Sequence, residues 1–278
     1  MVKLDHRLVR PGAEIAFADT AAAGSVVVLT HGAGVDHTMF DAQIGALIDH
    51  GYRVITWDMR GHGESTLAAG VHFTASDALG DLAALLDECG VDEAVLMGHS
   101  LGGNLAQAFA RAHVERVRGL IVMGSTWNTG PLSRFERFAL RSAAPAMAVV
   151  PAGMLPGWMA RASALSPDAI TRAEALFARM PKRVFLDVWR ATVSFVAPEP
   201  GYRSPVPLAL MRGAQDGTGN IATAMPRWAQ AEGVAEHVVP DAGHLLTWDA
   251  PEATSRVLLR ILDRWGHGTS SSPRSEPC

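Results

Sequence analysis

The first feature with chemical meaning is a serine set between glycines, in the segment Gly98-His99-Ser100-Leu101-Gly102. The segment follows a short apolar run and precedes an amphipathic stretch, so it lies where a strand should turn into a helix. A serine at such a turn presents its hydroxyl at the end of the sheet, above a helix N-terminus that favours developing negative charge. We therefore predict that Ser100 is the nucleophile of an acyl-transfer site.

A serine hydroxyl needs a base and a group that orients the base, and two later residues meet that need. Asp216 follows the apolar run 207–212, and His244 follows the run 236–240. Both stand just past the predicted carboxyl ends of strands, where the sites of open α/β sheets form. We predict that His244 is the base and Asp216 its acid partner. Asp241 competes for the acid role, but three residues before His244 it is better placed to shape the loop.

Small residues after another apolar run predict a binding place for the oxyanion of an acyl-transfer site. Such a site needs two N–H donors aimed at the tetrahedral oxygen. The segment His31-Gly32-Ala33-Gly34 leaves room for a backbone N–H to face the site. We assign the two donors to the backbone N–H groups of Ala33 and Leu101. His31 and the charged loop 58–65 are predicted to brace this region through hydrogen bonds rather than to react.

Short apolar runs alternate with longer amphipathic stretches, and this order predicts the scaffold that must position these residues. The apolar runs, predicted as strands, occupy residues 14–18, 25–30, 53–57, 93–98, 117–123, 207–212 and 236–240. Helical patterns occupy residues 40–50, 76–88, 101–112, 221–231 and 251–265. The alternation predicts an α/β fold with a mostly parallel central sheet and helices on both faces. We expect the first two runs to form an antiparallel hairpin at one edge.

The alternation stops between residues 127 and 204, where no strand-like run occurs. We predict that this insertion forms three or four short helices, a cap placed late in the sheet between two strands. The predicted organisation is a core of residues 1–126 and 205–265 and a helical cap or lid of residues 127–204. Residues 266–278, rich in Ser, Pro and Gly, are predicted to form a disordered tail.

Residues 142–160 of the insertion are uncharged and could be mistaken for a membrane span. Prolines and glycines recur there and should interrupt a continuous helix, so we expect no integral membrane segment. A lid over an apolar pocket fits better, with Met154 and Trp158 predicted to contact the substrate. The insertion has a net charge of +5 and the rest of the chain −9. Either a solvated surface or a rim that attracts acidic substrates explains this difference.

Composition excludes several other classes of protein. The net charge of −4 at pH 7 gives no basic footprint for nucleic acid. Two cysteines, Cys89 and Cys278, rule out a disulfide framework, and no two histidines have metal-ligand spacing on a helix. We therefore predict no cofactor and no metal. The first residues lack an apolar signal-peptide core, so we expect a cytoplasmic location.

Several segments of the chain together resemble the α/β-hydrolase superfamily. They are H-G-x-G at 31–34, D-x-R-G-H-G-x-S at 58–65, G-H-S-x-G-G at 98–103, and the later Asp216 and Gly243-His244. The resemblance covers about residues 14 to 265. It implies that fold with its inserted cap, and Ser100, His244 and Asp216 as nucleophile, base and acid. Residues 31–34 and His37 look like those of monoglyceride lipases, and the general arrangement looks like bacterial esterases and cofactor-free haloperoxidases. A serine rather than an aspartate at the turn is unlike haloalkane dehalogenases and epoxide hydrolases.

These observations predict a serine hydrolase that cleaves carboxylic esters of apolar small molecules through an acyl-enzyme intermediate. The same three residues could instead hydrolyse a lactone, a thioester or a C–C bond, transfer an acyl group, or catalyse cofactor-free perhydrolysis. A binding module without catalysis is disfavoured, because a receptor needs no activated serine. The expected partner is a small ester-like molecule, and the sequence leaves the natural substrate and the oligomeric state open.

Overall fold

A single sheet lies at the centre of the computed structural model, which describes residues 2–266. Within these residues the sheet has nine strands: β1 (His6–Arg10), β2 (Ala13–Asp19), β3 (Val26–Thr30), β4 (Arg53–Trp57), β5 (Thr66–Leu67), β6 (Ala94–His99), β7 (Val117–Met123), β8 (Leu208–Gly213) and β9 (Glu236–Val239). The order is β1-β2-β4-β3-β6-β7-β8-β9, with β5 paired to β2. Neighbours from β4 to β9 along this order are parallel, and the pairs that involve β2 are antiparallel. The predicted mostly parallel sheet is confirmed.

The central strands are nearly continuous apolar runs because both faces of the sheet are covered. Every residue of β6 is buried, and so are four of the five residues of β3. Successive side chains of a strand point to opposite faces. Val28 and Leu96 accordingly belong to the apolar core on one side of the sheet, and Val27 and Val95 belong to the core on the other.

Helices cover both faces, as the sequence pattern predicts. The buried residues of α1 (Asp41–Asp49) and α10 (Pro251–Arg264) belong to one core. Those of α2 (Ala75–Glu88), α3 (Leu101–Ala112) and α8 (Ile221–Glu232) belong to the other. The short helix α9 (Leu246–Asp249) precedes α10. Because strands and helices alternate along the chain, the loops after β3, β6, β8 and β9 converge at one end of the sheet, where the predicted site residues lie.

The predicted edge hairpin is wrong in its pairing. The hairpin at the edge joins β1 to β2, with His6 opposite Phe17 and Arg10 opposite Ala13. β2 then pairs with β4, and β3 lies one place further in, between β4 and β6. The sequence pattern missed β1 because an exposed edge strand can carry charged side chains and lack an apolar run.

Four helices lie between β7 and β8, where the sequence lacks strand-like runs. They are α4 (Arg134–Val149), α5 (Leu155–Ser163), α6 (Pro167–Arg179) and α7 (Lys182–Phe195). The predicted interruption of residues 142–160 falls at 150–154, between α4 and α5, whereas Pro145 lies inside α4. No helix in the described part of the chain is long and apolar enough to cross a membrane. The predicted tail lies outside the described residues from residue 267 onward.

Candidate active site

Ser100 sits at the sharp turn between β6 and α3, with a backbone φ of +50° and ψ of −115°. A non-glycine residue seldom adopts a positive φ, and such strain persists only where the surroundings fix it. Here the Ser100 N–H donates to the Met123 carbonyl at 2.9 Å. The Ser100 carbonyl accepts from the Asn104 N–H at 3.0 Å and from the Ser125 hydroxyl at 2.8 Å. These bonds hold the backbone and leave the Ser100 side chain half-buried at the N-terminus of α3.

Two glycines allow the backbone to pack this closely at the turn. A Cβ on Gly98 would lie 2.2 Å from the Gly102 carbonyl oxygen, and a Cβ on Gly102 would lie 2.2 Å from the Thr30 carbonyl oxygen. Any side chain at either position would force the backbone apart. The G-x-S-x-G spacing is therefore a packing requirement, which brings the start of α3 against the end of β3.

His244 and Asp216 form a buried pair in the loops that follow β9 and β8. His244 Nδ1 lies 2.9 Å from Asp216 Oδ2, and Asp216 Oδ1 accepts the Thr218 N–H at 2.9 Å. Burial opposes ionisation of Asp216, but the His244 ring and the Thr218 N–H outweigh it and hold the pKa of this carboxyl below its ordinary value. Because an ionised carboxylate only accepts hydrogen bonds, His244 donates its Nδ1–H to Asp216, and Nε2 is then the nitrogen that acts as a base in the neutral ring.

Ser100 and His244 line the same cavity, whose volume is about 410 Å³ including the part open to solvent. Their side chains make no direct hydrogen bond within the described residues; such bonds often tighten only when substrate binds. The opposite walls come from the insertion and are mainly apolar: Met159, Ser163, Phe177, Phe185 and Trp189. The cavity thus combines one reactive polar end with an apolar interior, an arrangement typical of small-molecule sites.

The loop after β3 brings Ala33 to the cavity wall. His31 braces this loop, since its Nε2 accepts the Met59 N–H at 2.9 Å and its Nδ1–H donates to the Gly32 carbonyl at 2.7 Å. Burial keeps the pKa of His31 below its ordinary value, so the ring is neutral. The Ala33 N–H makes no hydrogen bond within the part of the chain that the structure describes. The Leu101 N–H lies in the first turn of α3, where N–H groups have no helical partner.

The charged loop 58–65 lies beside this region, and its polar groups bond to one another and to their neighbours. The buried Asp58 carboxylate accepts the His37 N–H at 2.7 Å and the Glu64 N–H at 2.8 Å. Arg60 makes a buried bidentate pair with Asp81 of α2, both bonds at 2.7 Å. None of these side chains lines the cavity at Ser100. The geometry supports the predicted bracing role of the loop.

The structure places Met154 and Trp158, the predicted substrate contacts, away from the cavity at Ser100. Their side chains are 66% and 54% exposed, and neither lines the cavity at Ser100. Met159 of α5 occupies the wall instead. Successive residues of a helix point about 100° apart, so an apolar stretch does not by itself reveal which of its members turn inward.

Sequence reasoning also left out His99, which precedes the serine. His99 Nε2–H donates to the His244 carbonyl at 2.8 Å, and the two rings lie 4.7 Å apart. Burial lowers the pKa of His99 to about 3, so the ring is neutral. His99 thereby ties the loop of His244 to the turn of Ser100. The one sequence feature that could have indicated this role is the position of His99 next to Ser100. The G-x-S-x-G pattern specifies only the glycines and the serine, so it gives no weight to the residue between them.

Known proteins resemble this chain in both sequence and structure. A family model described as the alpha/beta hydrolase fold matches residues 25–251. A solved thermophilic esterase from Thermogutta terrifontis is 28% identical, with a TM-score of 0.77, over 94% of this chain and 99% of that one.

Curated relatives of this chain are named for different reactions. A 2-hydroxy-6-oxononadienedioate/2-hydroxy-6-oxononatrienedioate hydrolase from Burkholderia vietnamiensis is 37% identical over 120 residues. That match covers 42% of this chain and 41% of the relative, which is less than half its length. Haloalkane dehalogenase 2 from Mycobacterium tuberculosis is 27% identical over 87% of this chain and 88% of the relative. Similarity to these proteins therefore does not identify the bond that this chain cleaves, and only the geometry of its own site can indicate it.

Proposed function

This chain belongs to the alpha/beta hydrolase family, and we propose that it is a serine hydrolase that cleaves carboxylic esters of apolar small molecules. Hydrolase activity follows from the family and from its relatives. The proposed serine mechanism and ester substrate depend mainly on one observation. Ser100 and the imidazole ring of His244, which is bonded to Asp216, line the same largely apolar cavity. We further propose that residues 127–204 act as the cap of that cavity, since four of their side chains give it apolar walls.

Acylation in this proposal begins at His244 Nε2, which accepts the Ser100 hydroxyl proton while Oγ attacks the ester carbonyl carbon. The carbonyl oxygen then carries the negative charge, and the N–H groups of Ala33 and Leu101 stabilise it. Asp216 keeps the imidazole oriented and favours its protonated form. Collapse of the tetrahedral intermediate breaks the C–O bond, and His244 returns the proton to the leaving alcohol.

Deacylation repeats these steps with water in place of the alcohol. His244 Nε2 accepts a proton from water, the hydroxide oxygen attacks the acyl carbonyl, and the same two N–H groups stabilise the oxyanion. The intermediate then releases the carboxylic acid and restores the Ser100 hydroxyl. The apolar walls limit other water in the cavity, which strengthens the electrostatic contacts during both halves of the reaction.

A panel of p-nitrophenyl esters tests the proposed reaction directly. Release of p-nitrophenol by the wild-type protein, and its loss with Ser100→Ala, would support an ester hydrolase that uses this serine. Absence of turnover on every ester, from a folded protein that reacts with an active-site serine probe, would contradict the ester specificity and leave the nucleophile in place.

Acyl-chain length should control the efficiency of ester hydrolysis. Met159, Phe177 and Phe185 line both the cavity at Ser100 and a second apolar chamber of the insertion, of about 450 Å³ including its open part. A longer acyl chain can extend between these side chains, and each buried methylene contributes about 0.8 kcal/mol. We expect kcat/KM to rise roughly tenfold for every two methylenes until the chamber is filled.

The insertion offers matched controls for this prediction. Met159→Ala and Trp189→Ala each remove a side chain from the wall of the cavity and so enlarge it. Both should move the optimal acyl-chain length to longer chains. Met154→Ala and Trp158→Ala remove a methionine and a tryptophan that are exposed to solvent. They should leave the optimal acyl-chain length unchanged. A flat profile for the wild type, or an equal shift in all four variants, would refute the assignment of the acyl pocket.

Ester hydrolysis should survive treatment with a metal chelator. Every step proposed above uses only protein side chains and backbone N–H groups. The measurement is kcat/KM on one ester before and after incubation with EDTA, followed by removal of the chelator. Loss of activity that added zinc restores would contradict the mechanism.

A further inference from the structure

The helix α4 presents an apolar face to solvent. Phe135, Phe138 and Val149 are 78%, 69% and 83% exposed. At about 100° per residue, these three positions lie within a sector of about 60°. The buried residues Ala144 and Met147 lie on the opposite side of the helix, against the protein. The apolar face therefore has no partner in the described chain, whereas the reverse of the helix is already packed.

Three arginines lie along one edge of this apolar face. Arg134, Arg137 and Arg141 are exposed, and no carboxylate of the described residues lies within ion-pair distance of them. The acid of this helix, Glu136, is already engaged: it accepts the Ser133 N–H at 2.8 Å and the Asn220 side-chain N–H at 3.0 Å. The uncompensated positive charge thus adjoins the exposed phenylalanines.

We propose that this face of α4 docks on an anionic lipid surface. A helix lying in a membrane interface buries phenylalanines among the upper acyl chains and places arginines against the headgroups. Anionic lipids add electrostatic attraction for each arginine near the surface. The charge of the whole chain orients the contact, since the insertion carries +5 and the remainder −9. An anionic surface attracts the first and repels the second.

The position of α4 relates the docking face to the cavity. Its first turn is joined to Asn220 through Glu136, and the same loop contains Thr218, which lines the cavity at Ser100. A protein held by α4 would keep this part of the cavity near the lipid phase, where apolar esters partition. This last link depends on the proposed function, whereas docking itself does not.

Sedimentation with lipid vesicles tests the proposal without any activity measurement. The wild-type protein should bind vesicles that contain phosphatidylglycerol, bind phosphatidylcholine vesicles weakly, and detach as salt is raised. Arg137→Gln with Arg141→Gln should weaken binding about twentyfold. Phe135→Ser with Phe138→Ser should weaken it about tenfold or more. Ser100→Ala should bind as the wild type does, even if the proposed hydrolysis fails.

Matched variants on the core keep the test specific. Val9→Ser removes another exposed apolar side chain, and Arg256→Gln with Arg260→Gln removes two exposed arginines of α10. Both should bind as the wild type does. Equal binding to neutral and anionic vesicles, or equal loss in core and α4 variants, would overturn the proposal. Failure to bind any vesicle would also overturn it. If the chain then forms a dimer that Phe135→Ser and Phe138→Ser dissociate, this face is a contact between two copies of the chain.

Discussion

Replacing Ser100 with alanine should lower kcat for a p-nitrophenyl ester by roughly 10⁶-fold. The variant retains the cavity and the oxyanion donors but has no oxygen that can form the acyl-enzyme. The turn itself should survive, because the contacts that hold it are made by the Ser100 backbone N–H and carbonyl. Steady-state rates, with the melting temperature as a check on folding, measure this effect.

A fluorophosphonate probe identifies the nucleophile independently of the substrate. It should label the wild type and leave Ser100→Ala unlabelled. Ser163 is a suitable comparison, because it lines the same cavity and its backbone carbonyl, not its hydroxyl, bonds to the Leu245 N–H at 2.8 Å. Ser163→Ala should still be labelled. Labelling that persists in Ser100→Ala would place the nucleophile elsewhere.

The location of the candidate site could be predicted from the sequence because it depends on short-range rules. Gly98 and Gly102 mark a close approach of backbones, which only glycine permits. Asp216 and His244 each follow a buried apolar run, so their placement at one end of a parallel sheet required only the alternation of strands and helices. The 2.9 Å contact between them agrees with that inference.

Other features depend on packing that the sequence pattern does not contain. The uncharged stretch around Met154 predicted an apolar wall, but the inward side of α5 is set by its contacts with α6 and by the break before Leu155. The pairing of β2 with β4 rather than β3 requires a chain crossing that runs of apolar residues cannot reveal. The contact of His99 with His244 joins residues 145 positions apart. Long-range geometry decides each of these cases.

Replacing Asp216 with asparagine should lower kcat about 10⁴-fold. Asparagine has nearly the same size, so the cavity is preserved, but its amide can donate a hydrogen bond to His244 Nδ1. The proton of the ring would then lie on Nε2, which could no longer accept the Ser100 proton. The positive charge that forms on His244 during attack would also lose its buried counter-charge. Both effects act on the base, so kcat should fall much more than KM rises.

Asp241 and Asp249 are the competing carboxylates near His244, and the structure gives each a different task. Asp249 accepts the N–H groups of Gly243, Leu165 and Ser166 at 2.9 Å, so it joins the loop before His244 to the insertion rather than to the ring. Asp241 is exposed, with a φ of +54°. Asparagine tolerates that backbone conformation as well as aspartate does, which makes Asp241→Asn a control with the same chemical change and no added strain. Within the described residues the carboxylate bonded to the His244 ring is that of Asp216, so replacing Asp241 should alter kcat by little. If Asp241→Asn lowers kcat more than Asp216→Asn, the bond of Asp216 to His244 is structural and the orienting carboxylate has been misassigned.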